Sequence, residues 1–181
     1  MKTVIVAGAP RSGKSTLAGS LSRQRSLSRL PADSLVSALR DAFPELGVDH
    51  LEDHDLACAR FKPFLKSWLG HLVYEDVPCV VDIYHLLPAD VAELAPAWSV
   101  VFLGHPRIDP HGLLARIRDH ARPQDWTEEL DDAALLRVIE GSVAQSARLE
   151  RDCAGLGLTF VDTGVDFAAG LARAYDALSS A

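Results

Sequence analysis

Residues Gly8-Ala9-Pro10-Arg11-Ser12-Gly13-Lys14-Ser15 complete the pattern G-x-x-x-x-G-K-S/T. They stand between an apolar, β-rich run, Thr3-Val4-Ile5-Val6-Ala7, and a helical pattern beginning Thr16-Leu17-Ala18-Gly19-Ser20-Leu21. Strand, glycine-rich loop and helix in that order are what a phosphate-binding loop needs. The glycines let backbone N–H groups close on phosphate oxygens, Lys14 reaches the outer phosphates, and Ser15 offers a hydroxyl to Mg²⁺. The helix that follows, entered through Thr16, turns its positive dipole end toward the same anion. The stretch from Gly8 to Thr16 therefore predicts a nucleoside triphosphate site, with ATP and Mg²⁺ as the expected ligands.

Outward from this loop, strand-like and helix-like segments alternate. Ser26-Leu27-Ser28-Arg29-Leu30 reads as a weak second strand, and residues 34–43 have helical spacing up to Pro44. Residues 49–76 read as a long helical region divided at Pro63. Cys79-Val80-Val81-Asp82-Ile83, Ser99-Val100-Val101-Phe102-Leu103 and Leu158-Thr159-Phe160-Val161-Asp162 read as buried strands. A short helix from Pro88 and helices over 110–121, 131–154 and 166–179 separate and follow them. Apolar strands alternating with helices predict an α/β fold, a parallel sheet covered by helices on both faces. Without a repeat or an evident linker, residues 1–181 read as a single domain.

The bulk properties agree. A chain of 181 residues, 48% hydrophobic and 24% charged, has an ordinary globular composition and no apolar run long enough to span a bilayer. Cys58, Cys79 and Cys153 form no C-x-x-C pair, and the loop lies where a cleavable leader would be. A cytoplasmic protein with reduced thiols is expected. The net charge of −7 is uneven: residues 1–40 carry seven basic groups against the single acid Asp33. Positive charge near the loop suits a polyanionic ligand, while the acidic remainder argues against a nucleic-acid partner. Arg23, Arg25 and Arg29 read as solvating the end of the first helix.

In an open parallel sheet, ligands bind beyond the C-terminal strand ends. Those ends carry the loop, Asp33, Asp82 with Tyr84 and His85, Gly104-His105-Pro106-Arg107, and Asp162-Thr163-Gly164. Asp82 closes an apolar strand as a Mg²⁺ carboxylate does, and with Ser15 it forms the expected metal pair. Asp33 stands where a helix N-cap belongs, a role compatible with accepting the proton of a substrate hydroxyl. Arg116 and Arg148 are the preferred phosphate clamps, with Arg118 and Arg122 as alternates. His50 and His54 lie four apart, a spacing also seen in metal pairs, but without an evident third ligand. Trp68, His71 and Tyr74 fall at helical spacing and read as core.

With the loop at 8–15, Asp33 after strand two, Asp82 after strand three and arginines after strand four, the chain resembles the P-loop kinases of the adenylate, shikimate and gluconate kinase and chloramphenicol phosphotransferase type. The resemblance implies a three-layer fold with strand order 2-3-1-4-5, a substrate-binding helical insert at about 34–76 and a short lid at about 107–127. It further implies that Asp33 is the base or the ligand of the acceptor hydroxyl, and that Thr163, Gly164 and Val165 line the adenine. The expected activity is ATP- and Mg²⁺-dependent phosphoryl transfer by Lys14, Asp33 and the two clamp arginines to a small-molecule acceptor, through a hydroxyl or a nucleotide phosphate. The insert offers only Arg40, Arg60, Lys62 and Lys66 as basic residues, so a hydroxyl acceptor stays open. A nucleotide-binding switch without an acceptor is the alternative. It lacks the guanine-reading Asn/Thr-Lys-x-Asp at any of lysines 2, 14, 62 and 66.

Overall fold

The computed structural model describes residues 3–50, 52–121 and 125–179. Five strands, β1 (Val4–Gly8), β2 (Ser28–Pro31), β3 (Cys79–Ile83), β4 (Ser99–Gly104) and β5 (Thr159–Asp162), form one parallel sheet in the order β2-β3-β1-β4-β5. Every residue of β1 and β3 is buried, which is why these strands are apolar along their whole length rather than alternating. Strand β2 lies at the edge, largely exposed, and ends in Pro31, a residue that an edge strand tolerates.

The side-chain period of two divides β1 between two cores. Val4 and Val6 pack with Leu17, Ala18 and Leu21 of α1 (Lys14–Arg25) and with Ala174 and Leu178 of α7 (Phe167–Ser179). Ile5 and Ala7 point the other way. They meet Val36 of α2 (Ala32–Ala42), Phe61, Leu65 and Leu69 of α3 (His54–Tyr74), Val91 and Leu94 of the short α4 (Val91–Leu94), and Leu149 and Cys153 of α6 (Asp132–Leu156). A third cluster joins Leu113 and Ile117 of α5 (Pro110–Asp119) to Leu135 and Ile139 of α6, seating the segment expected as a lid. Among the described residues no helix is long and apolar enough to cross a membrane.

Several local expectations change. Helix α2 begins at Ala32 with Pro31 as its N-cap, so Asp33 lies in the first turn and does not cap. Helix α3 starts at His54, where Asp53 accepts hydrogen bonds from the backbone N–H groups of Asp55 and Leu56, at 3.0 and 3.1 Å. It then runs unbroken through Pro63. Phe61, Leu65 and Leu69 are buried on both sides of that proline, so packing holds the two halves in line. His71 and Tyr74 are exposed rather than core, because the buried stripe of α3 lies on its other face.

Candidate active site

The loop leaves β1 at Gly8, whose φ is +132°; a Cβ there would lie 2.0 Å from the carbonyl oxygen of Leu103 on β4. Only glycine allows that approach. Arg11 and Gly13 also adopt positive φ, +59° and +95°, which turns the backbone into a concavity of the kind that receives anions. Ser12 Oγ and Lys14 Nζ both donate to the carbonyl of Ala9, at 2.8 and 2.9 Å. Gly13 makes no side-chain cap on α1 and no acidic residue stands in the first turn, where Ser15 and Thr16 are exposed. The first amides of α1 are thereby left to a ligand.

A buried polar group underpins the loop. Ser142 of α6 donates to the carbonyl of Pro10 at 3.2 Å and lies 2.9 Å from His105 Nε2. Thr163 Oγ1 sits 2.8 Å from the carbonyl of Ser12 and 3.0 Å from that of Gly104. Burial drives the His105 pKa down to about 4, so a neutral ring stands behind the loop. Sequence reasoning missed Ser142, which sits 132 residues from its loop partner.

Lys14 is buried, and its pKa is lowered by burial against the opposing pull of Asp33 and Asp82. The two carboxylates and the loop lysine thus share one electrostatic neighbourhood at the strand ends. Asp82 is 4% exposed, and its Oδ2 accepts from Arg29 Nη2 at 2.8 Å. Arg29 is therefore a partner of the expected metal carboxylate, not a solvating residue of α1. Asp33 Oδ1 accepts the backbone N–H of Tyr84 at 3.2 Å, tying the first turn of α2 to the end of β3 in place of the expected cap. Burial raises the Asp33 pKa and Lys14 opposes it; 46% of the side chain is open to solvent, which weakens both effects.

Around Asp33 stands a group of rings that sequence spacing did not assemble. His50 Nε2 lies 3.2 Å from the Asp33 carbonyl oxygen and 3.1 Å from Ser37 Oγ. His54 and Tyr84 have ring centroids 4.5 Å apart, His50 and His85 5.0 Å, and Tyr84 and His85 4.7 Å. Lys14 Nζ lies 5.7 Å from the centre of the Tyr84 ring. His50 precedes α3 and His54 opens it, so their spacing of four does not place them on one helix face. Among the described residues no cluster of histidine, cysteine and acidic side chains is arranged to hold a metal.

The two preferred clamp arginines have different surroundings. Arg116 donates to the carbonyl of Gly164 at 3.4 Å and lies 5.7 Å from the centre of the Phe167 ring, beside the loop Thr163-Gly164-Val165. Arg148 pairs with Asp55, next to His54, at 2.8 Å, and with Asp152 at 3.4 Å. Of the alternates, Arg118 holds Asp132 and the carbonyls of Thr127 and Leu130, and Arg122 falls outside the described residues. Arg11 of the loop pairs with Asp125 and Thr127 at the far end of the lid segment, another tie absent from the sequence reading.

The structure is similar along nearly its whole length to solved kinases. A gluconokinase from Sinorhizobium meliloti 1021 has a TM-score of 0.63 at 20% identity, covering 99% of this chain and 92% of the other. Shikimate kinase from Bacteroides thetaiotaomicron gives 0.62 at 15%, covering 99% and 97%. A sugar kinase from Janibacter sp. HTCC2649 gives 0.57 at 20%, covering 99% and 95%. The chain has the P-loop kinase fold. No protein-family model matches the sequence, and no curated protein matches it.

In that P-loop kinase frame, the donor set suits Mg²⁺. Ser15 supplies an exposed hydroxyl on α1, and Asp82 a carboxylate on β3, whose neighbour in register on β1 is Val6. Both are hard oxygen donors near the phosphate concavity, and the Asp82 carboxylate is already held by Arg29 through one oxygen.

Proposed function

We propose that the protein is an ATP- and Mg²⁺-dependent phosphotransferase that moves the γ-phosphoryl group to a hydroxyl of a small-molecule acceptor. The observation that carries this reading is the convergence of Lys14, Asp33 and Asp82 beside a preformed phosphate loop. A bare nucleotide-binding module needs the loop; an acceptor carboxylate beside the loop lysine is what transfer adds.

Lys14 exchanges the Ala9 carbonyl for the outer phosphates, and the loop amides of residues 11–15 hold the remaining phosphate oxygens. Mg²⁺ held by the Ser15 hydroxyl and Asp82 would neutralise charge on the β- and γ-phosphates. Asp33 takes the proton of the acceptor hydroxyl as its oxygen bonds to the γ-phosphorus; the bond from that phosphorus to the bridging oxygen breaks, leaving ADP. Arg116, now beside Gly164 and Phe167, would turn to the γ-phosphate as a clamp. Arg148, once released from Asp55, would clamp the transferring phosphoryl group. Residues Thr163 to Val165 would border the adenine, with the Thr163 hydroxyl tying that border to the phosphate loop.

The deciding experiment is an acceptor screen on the purified protein with Mg²⁺ and ATP, following ADP release. At least one hydroxylated small molecule should raise the rate well above slow hydrolysis. If none does while ATP still binds, the protein is a nucleotide-binding P-loop protein without an acceptor.

A further inference from the structure

Among the described residues, each lysine and arginine of the helical insert is paired with an acid. Arg40 pairs with Asp41, Arg60 with Glu52, Lys62 with Asp90 and Glu93, and Lys66 with Glu93. Arg148, arriving from α6, pairs with Asp55 and Asp152. Beside Lys14, what stands around Asp33 is a set of rings: His50, Tyr84 and His85, with His54 against Tyr84.

His85 is the decisive member. It is 2% exposed, yet among the described residues neither ring nitrogen has a hydrogen-bond partner, and Nδ1 lies 3.9 Å from Asp33 Oδ1. A buried imidazole with both nitrogens unsatisfied is costly and calls for a partner. Burial first, then the neighbouring histidines and Lys14, push its pKa down to about 3, so the ring is neutral. A neutral imidazole offers one donor and one acceptor, which matches a hydroxyl group. A carboxylate or phosphate could use only the donor of the His85 ring and would add a negative charge beside Asp33 and Asp82.

Resting on the phosphotransferase reading, we infer that the acceptor is an uncharged, hydroxylated ring compound, bound against the rings beside Asp33 with a hydroxyl hydrogen-bonded to His85. The acceptor parts the rings around His85, and its ring face packs on the aromatic wall. Nucleosides, free sugars and aromatic alcohols share this chemistry; sugar acids and nucleotides do not.

The test uses the full chain with ATP and Mg²⁺ and matched acceptor pairs: adenosine against AMP, glucose against gluconate, and a neutral aromatic alcohol against its carboxylated analogue. The active pair should favour its neutral member at least about tenfold in kcat/KM. His85→Phe, which keeps the ring and removes the nitrogens, should raise the acceptor KM by about tenfold or more while the ATP KM stays within about twofold. His85→Gln restores a donor and an acceptor and should recover part of the loss; it also serves if the Phe variant does not fold. Preference for the anionic member, or an unchanged acceptor KM in both His85 variants, overturns the inference and leaves the phosphotransferase reading standing. ATP binding without turnover on any acceptor sinks both.

Discussion

At the scale of single residues, the site is governed by how three charges share a small volume. Lys14 is buried with its amine on a loop carbonyl; burial lowers its pKa, and Asp33 and Asp82 pull it back up. Lys14→Ala is expected to lower the transfer rate by at least ~10², because a charged contact to the transferring group is lost; steady-state ADP release measures it. Asp33→Asn should leave ATP binding near normal and remove turnover; normal turnover would reduce Asp33 to a structural tie to Tyr84. Arg29 holds the 4%-exposed Asp82 from a position 38% exposed. Arg29→Met should therefore destabilise the free protein by about 1–2 kcal/mol. Mg²⁺·ATP should then raise its melting temperature more than it raises that of the wild type, since the bound ion gives Asp82 a new partner. Equal ligand-induced shifts in the two proteins would refute this.

At the scale of elements, the helices behave as packed units rather than as sums of propensity. Helix α3 carries Pro63 in its interior because its buried stripe and the Asp53 cap hold it together. A proline there forfeits one backbone hydrogen bond and strains the turn before it, worth up to about 3 kcal/mol. Pro63→Ala is expected to raise stability by about 1–3 kcal/mol in chemical denaturation with acceptor kinetics unchanged. The elements were legible wherever a local signal governed them: the five strands and most helices read correctly from apolar runs and from prolines. The exceptions have local causes. The start of α2 moved because Pro31 and Ala32 enter the helix on sterics, whereas Asp33 was read as an oxygen waiting to cap. Residues 49, 50, 52 and 53 look helical by composition but lie outside α3, which Asp53 caps.

At the scale of the whole molecule, burial of imidazoles links stability to pH. His85 and His105 have folded values of about 3 and about 4, below the ordinary 6.5. Between those values and pH 6.5 the unfolded chain binds more protons, so stability rises with pH across that window and is lost as pH falls through it. For His105 the full loss is about 3 kcal/mol. Melting temperature should fall steeply from pH 6.5 toward pH 4, and His105→Gln, which can still meet Ser142, should make that whole fall shallower. Asp33, with a raised value, acts in the opposite direction, but its half-open side chain makes its share small.

By itself, the sequence determined the phosphate loop, the parallel α/β plan and the identity of the carboxylates at the strand ends. Each is written in contiguous residues: glycines where backbone must approach, apolar runs where both sheet faces are covered. Tertiary structure alone decided what surrounds Asp33. His50, His54, Tyr84 and His85 come from the segment before α3, the start of α3 and the turn after β3, and no local periodicity relates them. The pairing of Arg29 with Asp82, of Arg11 with Asp125, and of the insert's cations with acids likewise depends on strand order and helix packing. Electrostatic and hydrogen-bond partners are set by distance in space, which the chain acquires only once the sheet has brought its ends together.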